Sequence, residues 1–155
     1  MGKSQTNSEL LKTLSGMDRA YASGSKTWFD HFDDNATVYT NSSAEPIIGR
    51  SNYINNFAKL LASTKRKVQI ISRKVQAVGN VFIVYQVEQV TQDGVVVTMK
   101  QSQVSGETQK GLKINHMHSS VLGTPQATST ISKLGSINVI NEKIATIATA
   151  VGVAQ

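Results

Sequence analysis

Cysteine is absent from this 155-residue chain. That removes disulfides, thiolate metal sites and cysteine nucleophiles together, and a reducing cytosol suits such a chain. No apolar run approaches the ~18 residues needed to span a bilayer, and the N-terminus lacks the apolar stretch of a secretory signal. The expectation is a cytoplasmic protein with no membrane partner. Two short patterns look like processing signals. Met1-Gly2-Lys3-Ser4-Gln5-Thr6 fits the loose myristoylation pattern, and Asn35-Ala36-Thr37 and Asn41-Ser42-Ser43 fit the glycosylation sequon. Without a secretory signal, the sequons read as coincidence.

Hydrophobic residues at 39% and charged residues at 17% are ordinary for a globular chain. The length suits one domain with a core built from about 100–120 residues. No internal repeat is present. The net charge of +6 is uneven: residues 1–64 balance, whereas residues 65–120 hold eight basic against three acidic side chains. Lys65-Arg66-Lys67 and Arg73-Lys74 carry most of the excess. No aromatic–basic interleaving accompanies them, so they read as a solvated strand that resists edge pairing, and no nucleic-acid partner is expected.

The spacing predicts helices first and a sheet afterwards. Thr6 to Glu9 has capping-box spacing. Leu10, Leu14, Met17 and Tyr21 recur at helical spacing, and Gly24 stops the helix. Ser25 caps a short second helix carrying Trp28, Phe29 and Phe32. Ala36–Thr40 reads as a strand onto which Ile47-Ile48 pairs back. Ser51 caps a third helix with Ile54, Phe57 and Leu61 on one stripe. From residue 66 the period becomes two, giving strands at about 66–78, 81–91, 94–105 and 111–121. Gly79-Asn80 and Asp93-Gly94 are hairpin signals, and residues 106–110 read as a longer loop. The phase of the first long strand changes near Ile70-Ile71, which predicts a bulge. Residues 81–85 are apolar in both phases, which predicts helices on one face and a partner subunit on the other.

Candidate site residues follow from these elements. Ile114, His116 and His118 alternate along the last strand and so share one face. Imidazoles on a core-facing strand need partners. They can serve as acid/base groups, line a ligand cavity, or hydrogen-bond core neighbours. A metal would need further ligands, which only His31 and scattered carboxylates offer, and none is assigned. Asp30, Asp33 and Asp34 read mainly as helix-capping and turn residues. Tyr21, Trp28, Tyr39, Tyr53, Phe57 and Tyr85 can line an apolar cavity or pack the core. Met99, Gln101 and Gln103 share one strand face, the glutamines marking a wetter end of the same cavity, with Lys100 and Ser102 opposite. Glu88 lies in phase with Phe82 and Val84, and the pattern leaves its face open. An isomerase would require a carboxylate base opposite an oxyanion donor in a dry pocket.

Three segments carry a family resemblance. They are Trp28-Phe29-Asp30-His31-Phe32-Asp33-Asp34-Asn35-Ala36; Ile48-Gly49-Arg50-Ser51 with Tyr53, Ile54 and Phe57; and Leu112-Lys113-Ile114-Asn115-His116-Met117-His118-Ser119. In this order, over about residues 8–121, the chain resembles the nuclear transport factor 2-like superfamily, in its SnoaL-like and calcium/calmodulin-dependent kinase II association-domain-like branches. The last segment is similar to a pattern of Trp, basic, Ile, x, His, x, His, x, Ser, with Leu112 in place of the Trp. The resemblance implies an α+β cone, with N-terminal helices packed on a strongly curved antiparallel sheet. Members include ketosteroid isomerases, polyketide cyclases, dehydratases, epoxide hydrolases and non-catalytic assembly modules, so the fold does not choose a function. No Tyr–Asp constellation matching the ketosteroid isomerases is found.

The reading is therefore a domain at residues 1–121 that binds a small apolar or aromatic molecule and forms a homodimer. Its expected ligand-lining residues are Tyr21, Trp28, Tyr39, Tyr53, Phe57, Met99, Gln101, His116 and His118, with no cofactor. The alternatives are an oligomerisation module without ligand chemistry, and an isomerase, cyclase or dehydratase using His116 and His118 as acid/base groups. Residues 122–155 depart from the resemblance. Thr124 to Ser136 reads as a linker, and Ile137, Ile140, Ile144, Ile147 and Val151 form the apolar seam of a C-terminal amphipathic helix at three-four spacing, which is too short to stand alone and must dock on its own domain, on a partner or over the cavity mouth.

Overall fold

The computed structural model describes residues 3–41 and 43–123, with the side chains of residues 8–41 and 43–122. The expected linker and amphipathic helix at 122–155 lie, from residue 124 onward, outside the described residues.

Helix α1 (Lys3–Ser23) buries Leu10, Leu14, Met17 and Ala20 along one stripe. It starts a turn before Thr6, because residues 3–8 contain no helix breaker, so the expected capping box falls inside it. Gly24 ends it with φ +70°, and Ser25 N–H then donates to the Ala20 carbonyl at 2.9 Å. Ser25 caps a 3-10 helix (Lys26–His31), its Oγ accepting from Thr27 N–H at 3.2 Å. That helix drives Trp28 and Phe29 into the core.

Strand β1 (Phe32–Tyr39) follows, and β2 (Ile47–Ile48) pairs back onto it antiparallel, as expected. Helix α2 (Arg50–Ser63) starts from Gly49, not from a Ser51 cap. Gly49 has φ +91°, donates to the Ala36 carbonyl at 2.8 Å and accepts from Tyr53 N–H at 3.1 Å. Only a glycine takes that backbone angle without strain. Four long strands complete the described residues: β3 (Lys67–Val78), β4 (Val81–Gln92), β5 (Val95–Thr108) and β6 (Gly111–Gly123).

The six strands form one sheet in the order β2-β1-β6-β5-β4-β3. Every neighbouring pair is antiparallel except β1 and β6, which run parallel. The hairpin at Asp93-Gly94 has positive φ at both turn residues, the conformation that matches strand twist. The expected 106–110 loop shrinks to a two-residue turn, because β5 runs to Thr108 and turns tightly through Gln109-Lys110 into Gly111, at φ +94°. Thr108 Oγ1 closes this turn by accepting from Lys110 N–H at 3.1 Å.

Of four register shifts among the described residues of the sheet, two set the phase of the strands around the helix-covered face. One lies between Ile70 and Ser72 on β3, where the sequence pattern places it. The other lies in β6: Ile114 pairs with Ser105 and His116 pairs with Val104, so Asn115 is the extra residue. The helices cover one face of the sheet. Six aromatic rings from α1, the 3-10 helix, β1 and α2 make the seam, linked by centroid separations of 5.1–6.4 Å. Trp28 Nε1 donates to the Tyr53 hydroxyl at 3.1 Å, so the indole N–H is satisfied inside that seam.

The helix junction at Gly24 is tight. A Cβ there would stand 2.6 Å from the Leu61 carbonyl oxygen, in a backbone conformation that side chains rarely adopt. Gly24→Ala should lower the unfolding free energy by roughly 1–3 kcal/mol. Urea titration checks this: an unchanged midpoint would show that α1 and α2 can separate there at no cost.

Candidate functional site

Under the helices, the inner face of the sheet changes character along its length. Strand β4 turns Phe82, Val84, Gln86, Glu88 and Val90 inward, and all five are buried. Strand β5 turns in Met99, Gln101, Gln103 and Ser105, and β6 turns in Leu112, Ile114, Met117 and Ser119. Apolar residues fill the end beneath the aromatic seam. The polar row further along cannot pack against apolar helix side chains, and a chamber of about 80 Å³ remains there. Leu14, Met17, Tyr21, Trp28, Tyr53 and Phe57 roof it; Gln86, Glu88, Gln101, Gln103 and Ser119 floor it. Such a volume admits several waters or part of a small organic molecule. Tyr21, Thr40, Asn41, Phe57 and Met99 also border a wider vestibule of about 600 Å³ that adjoins the chamber.

Two chains of hydrogen bonds cross the floor. Asp18 on α1 takes a bidentate pair from Arg73 at 2.9 and 2.7 Å, and Arg73 Nε donates to Gln86 Oε1 at 3.0 Å. Gln86 Nε2 in turn donates to Glu88 Oε2 at 3.2 Å. In the second chain, Gln103 Nε2 donates to Gln101 Oε1, and Gln101 Nε2 donates to Ser119 Oγ at 3.0 Å.

Burial dominates the electrostatics. Desolvation raises the Glu88 carboxyl from its usual 4.5 to about 7; Asp18 adds to the shift, while Arg73 and the Gln86 bond oppose it. Tyr21 is pushed up to about 12, first by burial and then by the charge of Glu88. Burial also raises Tyr53, which is held as a neutral phenol. Arg66 sits at the rim with its guanidinium 5.0 Å from the Tyr21 ring centroid. Its N–H groups donate to the carbonyls of Leu60, Leu61 and Thr64 at 3.0–3.1 Å, which satisfies the C-terminal end of α2.

Of the expected site residues, Tyr21, Trp28, Tyr53, Phe57, Met99 and Gln101 line the chamber. Tyr39, His116 and His118 do not. The Asn115 bulge reverses the phase of β6, so Met117 and Ser119 are buried inside while His116 and His118 lie on the outer face. His118 lies 5.5 Å from the Tyr39 ring, above a shallow depression with Lys74, Tyr85, Lys100 and Ser102. The expectation that both imidazoles approach the cavity is corrected accordingly. His31 is separate from both faces of this site, and burial lowers its pKa. Among the described residues no three His, Asp or Glu side chains gather in a metal-binding arrangement.

Sequence reasoning missed Asp18, Arg73 and Gln86. The phase of Glu88 was visible, but its face was not. Pairing the β3–β4 hairpin across the Ile70 bulge would have set Arg73 opposite Gln86.

No family model matches the sequence, and no curated protein does. Solved structures do match the fold. A nuclear transport factor 2-like (NTF2-like) protein of unknown function from Pseudomonas putida KT2440 superposes with a TM-score of 0.70 at 12% identity, over 80% of this chain and 92% of that one. An NTF2-like superfamily protein from Salmonella enterica gives 0.66 at 17%, over 80% and 96%. The CamKII hub homology domain of Chlamydomonas reinhardtii gives 0.62 at 17%, over 75% and 98%. The chain therefore has the α+β, cystatin-like fold of the NTF2-like proteins. Among the described residues no helix is long and apolar enough to cross a membrane.

The raised pKa of Glu88 makes stability depend on pH with a definite sign. Between pH 4.5 and about 7 the unfolded carboxyl has ionised while the folded one holds its proton. The folded state then binds more protons, so this group's contribution falls as pH rises through that window. Glu88→Gln should match the parent near pH 4.5 and exceed it by up to about 3 kcal/mol above pH 7. Denaturant titrations of both proteins from pH 4.5 to 8.5 check this, and a constant difference would place Glu88 in a solvated setting.

Proposed function

We propose that this chain is a cytoplasmic small-molecule-binding protein, and that its chamber performs general acid–base chemistry on a small apolar or aromatic molecule through Glu88. The observation that carries this is a carboxyl with a pKa near 7 on the floor of an aromatic-roofed chamber. A base is most effective when its pKa lies near working pH. Asp18, Arg73 and Gln86 act as positioning residues, since they fix the carboxylate through one of its oxygens. The other oxygen is available to a substrate proton. Tyr53 accepts from Trp28, which leaves its own O–H proton to donate to an oxygen on which negative charge develops. With the imidazoles on the outer face, Glu88 takes the acid/base role that the sequence offered to His116 and His118.

The proposal is tested with 5-nitrobenzisoxazole, whose ring opening needs only a base. The carboxylate takes the C3 proton, the freed electron pair completes the nitrile, and the N–O bond breaks to release a phenolate. The rate should rise with pH about a midpoint near 7 and fall roughly 100-fold or more in Glu88→Gln. Equal rates in the two proteins would remove Glu88 from the chemistry.

We also propose that the chain is a homodimer formed through the outer sheet face. Tyr85 is 41% exposed there and Val78 44%, beside half-buried Ile83, Val87 and Val104. Tyr85→Asp should convert a dimer into a folded monomer by sedimentation velocity. A parent chain sedimenting as a 16.7 kDa monomer at tens of micromolar would overturn the assignment.

A further inference from the structure

The chamber floor has a direction. Gln103 is 2% exposed, and its amide nitrogen is engaged by Gln101, which is itself engaged by Ser119. The donors of this ladder therefore all point toward Ser119, and Gln103 Oε1 is left at the far end. Among the described residues that oxygen has no hydrogen-bond partner, although it is buried. Asn41 repeats the pattern at the mouth. Its Nδ2 rests against the Met99 sulfur at 3.8 Å, while its buried Oδ1 has no partner among the described residues. Both side chains line the same chamber. A buried acceptor without a partner costs free energy that only a donor can restore. The roof, in contrast, offers mainly apolar and aromatic surface, which rewards a ring.

We propose that the chamber selects small molecules with an apolar ring whose polar positions carry at least two O–H or N–H donors, received by Gln103 Oε1 and Asn41 Oδ1. This deepens the small-molecule reading and rests on it, but it concerns selection and not proton transfer. Gln103 and Asn41 are the specificity-determining residues. A ligand of the same shape bearing only acceptors is rejected, because it would set oxygen against oxygen in a desolvated space.

Three probes of similar size separate these terms: resorcinol, with two O–H donors; 1,3-dimethoxybenzene, with the same oxygens as acceptors only; and m-xylene, with neither. Calorimetry on the full chain reads binding without any reaction, so the result stands apart from whether Glu88 transfers protons. Resorcinol should bind about tenfold or more tightly than the other two. Gln103→Leu should remove that preference while keeping m-xylene binding. Asn41→Leu supplies the same comparison from the mouth of the chamber if the first variant does not fold. Dimethoxybenzene binding as tightly as resorcinol, which a ladder running the other way would produce, overturns the proposal. So does a chamber that takes none of the three probes up to their solubility limits, or a preference that survives both substitutions.

Discussion

The aromatic seam between the helices and the sheet is the contact on which the rest of the structure depends. Trp28, Phe29, Phe32, Tyr53 and Phe57 pack into one ring cluster under the helices, and Trp28, Tyr53 and Phe57 carry that cluster over the chamber as part of its roof. Tyr53 stacks on Phe57 with planes 2° apart and receives the Trp28 N–H, so the seam is fixed in direction as well as packed. Burial of these rings drives folding. The chamber is what remains where apolar bulk gives out and polar side chains begin.

That division explains the chemistry of the floor. A glutamine or glutamate facing inward cannot be left dry and alone. The structure answers with two side-chain ladders running along and across strands, one anchored by Asp18 and Arg73 and the other by Ser119. The same enclosure that makes the ladders necessary raises Glu88 and Tyr21. Polar pairing and pKa shift are two results of one desolvation.

Much of this was legible in the sequence. The period-3.6 stripe of α1, the Ser25 cap, the four long strands, the turn at Asp93-Gly94 and the Ile70 bulge all follow from local rules, because each is decided by neighbours in the chain. Six of the nine expected lining residues came from the same source: aromatic residues on the helices, and Met99 and Gln101 on a strand face that carries no charge. The failures share a different cause. Asn115 carries no mark that it is extra, since a bulge is settled by the registers of both neighbouring strands. His116 and His118, which follow it, were consequently assigned to the wrong face. Arg73 was read as surface charge because its partner, Asp18, lies far away in the chain. Gly49 took the cap expected of Ser51 because a positive φ was needed to leave β2.

The bulge in β6 also bears on how such a chamber changes over evolutionary time. Ile114 and Met117 both point inward only because one residue between them is skipped. If the skipped position moved toward the end of the strand, His116 and His118 would turn inward, and Met117 and Ser119 would turn out. Two interiors of opposite chemistry, one lined by imidazoles and one by a thioether and a hydroxyl, are thus written in the same ten residues. Drift between them would need no new side chain in the strand, only a change in neighbouring strands that favours the other register. Sequence likeness along this strand is therefore a poor guide to shared chemistry among proteins of this fold.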